Sequence, residues 1–148
     1  YSMNKNKTGV QYSNIEYIKS DNATICLLNC TIDYEKVRLM FGLNEEYRIQ
    51  FMNFLDKIHV TLEDEGLVYT VKGVTRYDNE NPYDEVIGER LALSKAQLKA
   101  FEKANELYYV LAELSDNMFT NLNHLINGTY NVAEHCEEHV NKLIEATR

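Results

Sequence analysis

From Asp84 onward, apolar side chains recur at alternating four- and three-residue steps, and this periodicity constrains the fold more than any other feature of the chain. Leu93, Gln97, Ala100, Ala104, Leu107, Leu111, Leu114 and Met118 form one stripe of a helix expected to run from Asp84 to about Leu114. Asp84 follows Pro82-Tyr83 and suits an N-cap, and Glu85 in the first turn complements the positive end of the helix dipole. Leu91, Leu98, Phe101 and Tyr108 make a second stripe. Two apolar stripes require cover on two sides. A sheet can supply one side and later helices or a second subunit the other, so a homo-oligomer is expected through the 84–118 helix. Beyond it the pattern predicts a shorter helix, Asp116 to Ile126, closed by Asn127-Gly128. A last helix follows, capped by Asn131, with Val132, Cys136, Val140, Leu143 and Ile144 facing inward.

The first half of the chain reads differently. Val10 to Lys19, a turn at Ser20-Asp21-Asn22 and Thr24 to Ile32 form an expected β-hairpin. The second strand is apolar on both faces and therefore central. In Glu35 to Phe41, Val37, Leu39 and Phe41 alternate with Lys36, Arg38 and Met40, which favours a strand, whereas Asp33 and Gly42 favour a short helix. The strand is preferred. Asn44 caps a helix to about Lys57, with Tyr47, Phe51, Phe54, Leu55 and Ile58 on its apolar side. Ile58 to Glu63 and Leu67 to Tyr77, joined at Asp64-Glu65-Gly66, form a second hairpin. The fold class is α+β: an N-terminal antiparallel sheet, then a C-terminal helical part of one long and two shorter helices. Residues 1–9 are expected as a tail, Tyr1-Ser2 reading as an expression remnant before a native Met3. Residues 10–148 are expected as one domain, mainly sheet over 10–77 and helical over 84–148.

Fifteen Lys and Arg against 23 Asp and Glu give 148 residues a net charge of −8. Such a chain repels a phosphate backbone, which argues against general nucleic-acid binding and suits a basic partner. No apolar run approaches the roughly 20 residues of a membrane-spanning helix. Three cysteines, Cys26, Cys30 and Cys136, provide no disulfide framework and point to a reducing compartment, so a cytoplasmic location is expected.

Chemistry-bearing motifs are sparse. Cys26 and Cys30 share a strand face, and His135 and His139 share a helix face. Together they make a formal zinc set, but Cys-x3-Cys on a strand is poor zinc geometry, and buried cysteines are usually core. No metal, cofactor or catalytic residue is assigned. His59 on a strand and His124 on a helix have no partner for nucleophilic catalysis. The acidic runs Glu45-Glu46, Glu63-Asp64-Glu65 and Glu137-Glu138 read as solvated surface. Arg38, Arg48, Arg76 and Arg90 are the residues that can converge on a small phosphate-bearing ligand.

The informative stretch is Val71 to Ala96, where a strand passes through an acidic loop into the long helix. A helix N-terminus beside Arg76, Tyr77, Tyr83 and Arg90 is a cradle for a nucleotide-like anion, through stacking and charge-assisted hydrogen bonds. A structural reading stands beside it. Asp84 caps the helix, Gly88 permits tight helix–sheet packing, Gly73 admits a close backbone, and Tyr83 is a hydrophobic staple.

Gly73-Val74-Thr75-Arg76-Tyr77, Glu80, Tyr83-Asp84, Gly88 and Leu91-Ala92 resemble a stretch recurring in small phage and prophage proteins of low-GC bacteria. There the strand usually ends in Cys, where Tyr77 stands here, and Asn79-Glu80-Asn81-Pro82 replaces the common loop. Abundant Asn, Lys, Ile and Tyr fit such a genome. The layout of N-terminal sheet and long C-terminal helices is similar to phage anti-Thoeris proteins, which sequester cyclic ADP-ribose-type signals. The resemblance implies a non-enzymatic anti-defence protein in the host bacterial cytoplasm that traps a small cyclic nucleotide. The alternatives are an acidic inhibitor of a basic host nuclease or CRISPR complex, and a structural oligomeric phage protein.

Overall fold

Ten consecutive residue pairs, from Ala23–Arg76 to Ile32–Leu67, hold the two central strands of this fold in antiparallel register. The computed structural model describes residues 8–78 and 84–147. The elements are β1 (Val10–Lys19), β2 (Ala23–Ile32), a 3-10 segment (Tyr34–Gly42), α1 (Glu45–Lys57), β3 (Thr61–Glu63), β4 (Gly66–Arg76) and α2 (Glu85–Ala146). The sheet is antiparallel in the order β1-β2-β4-β3. The class is α+β as expected, and β2 is central.

Period-2 alternation sorts the sheet into two faces. Cys26, Leu28, Cys30 and Ile32 of β2 and Leu67, Tyr69 and Val71 of β4 are buried on one face beneath α2. Ile25, Leu27 and Val74 point the other way and are only half-buried. Gly66 closes the β3–β4 turn at φ +145°, where an added Cβ would run into the Ile32 carbonyl group. Phe51 and Leu55 of α1 enter the same core. Asn44 caps α1, its side-chain oxygen accepting from the Tyr47 N–H at 3.0 Å.

Three of the expected secondary-structure elements are corrected. Residues 34–42 form a 3-10 segment, not a strand. Asp33 accepts from the Glu35 N–H at 2.9 Å, and Val37 and Met40, three residues apart, are buried together. The expected strand from Ile58 starts only at Thr61, because the N–H groups of Ile58, His59 and Val60 finish α1 by bonding to the carbonyls of Phe54, Asp56 and Leu55. His59, at φ 60°, ends a helix instead of occupying a strand.

The third correction is the largest. The C-terminal part is one continuous 62-residue helix, not a long helix with two shorter ones. At 1.5 Å per residue it is about 93 Å long, against about 33 Å for a ten-residue strand. Nothing approaches within 4 Å of where a Gly128 side chain would be, so no packing bends the helix at Asn127-Gly128. A glycine alone weakens a helix by about 1 kcal/mol and does not stop it. Thr120 and Ser115 return their hydroxyls to the carbonyls of Asp116 and Leu111, four residues back, at 3.0 and 2.9 Å.

The first half of α2 lies on the sheet through Gly88, Ala92, Ala96, Ala100, Ala104, Leu107, Leu111 and Leu114. Leu93 and Gln97, expected in the buried stripe, are half-buried beside it. The line shifts to Ala92 and Ala96 because Gly73 lets the helix backbone come down onto β4. Of the expected tail, Thr8 and Gly9 are held against α2 by the Tyr108 hydroxyl, which donates to the Thr8 carbonyl at 2.8 Å. Residues 1–7 lie outside the described set.

Candidate functional site

Three places on the fold carry features of a site: the β4–α2 junction, two clefts flanking α2, and the far half of α2. At the junction, β4 delivers Arg76 and Tyr77 to the start of α2, and Arg90 lies one and a half turns into that helix. Arg76 and Arg90 are exposed and have no ion pair among the described residues. Tyr83 lies outside the described residues. Tyr77 is half-buried, and its hydroxyl meets the Thr24 hydroxyl in a short hydrogen bond. A Cβ on Gly88 would collide with that same hydroxyl. Gly88 therefore makes room for Tyr77, and Gly73 for the helix.

The helix start is occupied by the protein itself. Asp84 accepts from the Ile87 N–H at 3.1 Å through its side chain and from the Gly88 N–H at 2.8 Å through its carbonyl. Lys19 of β1 is paired with Glu85 and Glu89 and hydrogen-bonded to both, which holds its ammonium well above the usual lysine pKa. Three carboxylates, Asp84, Glu85 and Glu89, thus surround the helix start that Arg76 and Arg90 flank. Arg38 and Arg48 do not join them. The 3-10 segment and α1 follow the Ile32 end of β2, about 30 Å along the sheet from Arg76.

The four formal zinc donors are also apart. Cys26 and Cys30 are buried under α2, while Cys136, His135 and His139 are exposed on its far half. Among the described residues no group of three or more His, Cys, Asp or Glu is placed to hold a metal ion. Burial pushes the Cys30 thiol up to about 11 and raises Cys26 above its ordinary value. These are thiols kept neutral inside a core.

One cleft of about 300 Å³ lies between α2 and the N-terminal side of the sheet, lined by Thr8, Gly9, Lys36, Leu39, Tyr108, Leu111 and Ala112. Another, of about 350 Å³, lies on the opposite flank between β4 and α2, with Thr70, Lys72, Lys99, Glu102, Lys103 and Glu106 on its walls. Lys99 and Lys103 of the second cleft belong, with Lys95 one turn before them, to a row that sequence reasoning missed, four apart on one helix face. Their i, i+4 spacing was the available signal. Lys95 donates to the Val74 carbonyl at 3.0 Å and Lys103 to the Ile58 carbonyl at 2.8 Å. β3 pairs with β4 only at Gly66 to Val68, so this lysine row lies along an otherwise open strand edge. Lysine at an edge is a usual guard against strand addition.

The far half of α2 is different in kind. Every residue from Phe119 to Thr147 is exposed. Asn121 reaches back to the body of the fold, its side-chain N–H donating to the Tyr47 hydroxyl at 2.8 Å. Beyond it the helix projects as an arm bearing Leu122, Leu125, Ile126, Tyr130, Val132, Val140, Leu143 and Ile144, all largely solvent-exposed. Contiguous exposed apolar surface of this extent marks a contact site.

Compared with protein-family models, curated proteins and solved structures, the chain matches none. No helix among the described residues is long and apolar enough to cross a membrane.

Proposed function

We propose that this chain is a non-enzymatic binding protein of phage origin that counters a host defence by protein contact in the bacterial cytoplasm, through the arm that leaves its folded head. The observation that carries this reading is the unbroken exposure of Phe119 to Thr147 on a helix whose one side is apolar. An apolar side chain left in water forgoes about 1.5–3 kcal/mol of burial, so a row of them is an unused binding surface. The phage origin rests on the resemblance of the Gly73 to Ala92 stretch to phage and prophage sequences, and the anti-defence role on the similarity of the sheet-then-helix layout to phage anti-Thoeris proteins. The net charge of −8 suits basic host proteins as eventual targets.

The test is phage plating on a host that carries an active defence. Expression of the chain restores plating, and the double variant Phe119→Glu, Ile126→Glu does not, while its circular dichroism stays that of the parent. Equal rescue by parent and variant would remove the arm from the function.

A second reading keeps the role and changes the target to a small cyclic nucleotide held by Arg76, Tyr77, Tyr83 and Arg90. The exposed guanidiniums of Arg76 and Arg90, with no ion pair among the described residues, favour it. The spent Tyr77 hydroxyl and the three carboxylates at the helix start weigh against it.

A further inference from the structure

We infer that the arm of α2 is covered by the arm of a second copy of this chain, running antiparallel, with the two heads at opposite ends. The inference rests on the reading of the arm as the working contact surface and names what covers it.

The first argument is positional. Leu107, Leu111 and Leu114 are buried under the head. Stepping on by three or four, the same side of the helix carries Met118, Leu122, Leu125, Thr129, Val132, Cys136, Val140 and Leu143. From Leu107 to Leu143 the mean step is about 3.6 residues, the period of a straight α-helix. The arm's apolar side is therefore the continuation of the side on which the head sits. A parallel, in-register copy would bring its own head into the space the first head occupies. An antiparallel copy places its head beyond the first arm's tip, and each arm then fills the room next to the other's head.

The second argument is complementarity. Antiparallel overlap of residues 120–145 puts the two-fold axis between Val132 and Ala133. Leu122 then lies beside Leu143 of the second copy, Leu125 beside Val140, and Thr129 beside Cys136. Large side chains meet near the ends and small ones near the middle. None of these positions is charged, and Glu134, Glu138 and Glu145 lie on the opposite side of the helix. Two chains of charge −8 can approach through that neutral seam.

The third argument is area. An overlap of about 38 Å on a helix about 10 Å across offers on the order of 600 Å² per copy, or about 1,200 Å² in total. A specific interface needs roughly 1,000 Å².

The experiment is sedimentation equilibrium of the full chain, paired with a spin-label distance. The expected result is a dimer whose mass halves in the double variant Leu125→Glu, Val140→Glu. A label at Glu145→Cys in a Cys136→Ser background should report about 36 Å between copies, against less than about 20 Å for parallel arms. A monomer at all concentrations overturns the inference, and so does the short distance. If the chain is monomeric while the arm variants still abolish plating rescue, the arm meets a different protein and only the self-pairing falls. If the arm variants rescue plating, the functional reading falls whatever the mass.

Discussion

Gly73 of β4 faces the backbone of α2 at Ala92 and Ala96 so closely that a Cβ on Gly73 would lie 2.6 Å from the Ala96 nitrogen and nearer still to the Ala92 carbonyl oxygen. The atoms in the way are main chain and cannot swing aside. Gly73→Ala must lift the helix from the sheet and open the core beneath Ala92, Ala96 and Ala100. The expected cost is about 2–3 kcal/mol, the usual scale of core overpacking, read as a lowered midpoint in chemical denaturation. An unchanged midpoint would mean that helix and strand are not in contact there.

Gly88→Ala is expected to act more mildly. The obstructing atom is the Tyr77 hydroxyl, the end of a side chain that can move. The substitution should displace Tyr77 and break its bond to Thr24, for a loss of about 1 kcal/mol. Tyr77→Phe should lose a similar amount without the displacement. If Tyr77→Phe instead removed binding of a cyclic nucleotide while leaving stability intact, in calorimetry of the purified chain, the trapping reading would gain what the fold gives it no reason to claim.

Alkaline pH should destabilise the head. Burial raises Cys30 to about 11 from the ordinary thiol value of 9.0, and it raises Tyr69 and Tyr108 above the ordinary tyrosine value of 10.0. Each group is neutral when protonated, and each has a folded pKa above its unfolded one. Their contribution is whole below the unfolded pKa and is lost as pH climbs through the folded one. Lys19 adds in the same direction through Glu85 and Glu89, and its exposure makes that part small. Melting temperature should be flat up to about pH 9 and fall above it. A midpoint that rises over the same interval would contradict the burial of Cys30 and Tyr69.

Gly128→Ala tests the continuity of the arm. Gly128 is helical, and nothing lies within 4 Å of its would-be side chain, so alanine adds helix propensity without a clash. Helicity of the arm should rise and its stability increase by about 1 kcal/mol. A helix that ended at Asn127-Gly128 would respond in the opposite sense, because a C-terminal glycine is favoured where a left-handed residue is needed.

How far these features could be read from residues alone differs along the chain. The two long strands, the helix capped by Asn44 and the start of α2 at Asp84 follow from local chemistry: alternation, a side-chain oxygen at a cap, an acidic first turn. Residues 34–42 deceived because period 2 and period 3 both fit Val37, Leu39 and Met40, and only the burial of Val37 with Met40 decides between them. The buried line of α2 was displaced by one residue because Leu93 outranks Ala92 in hydrophobicity, whereas the close approach at Gly73 selects the smaller side chain. The arm was hidden for a related reason. Asn127-Gly128 and Asn131 are good punctuation, and apolar residues beyond them are normally assumed to fold inward. The structure leaves them in the open, so the surface that matters most to the functional reading is one that periodicity had assigned to a core.

Amide hydrogen exchange along residues 118–144, followed as a function of protein concentration, tests the account most directly. A bare helical arm frays and exchanges fast, while an arm covered by a second copy is protected. Protection confined to Met118 through Ile144 that rises with concentration, with the head unchanged, is the predicted result. Rapid, concentration-independent exchange over the whole arm would contradict it.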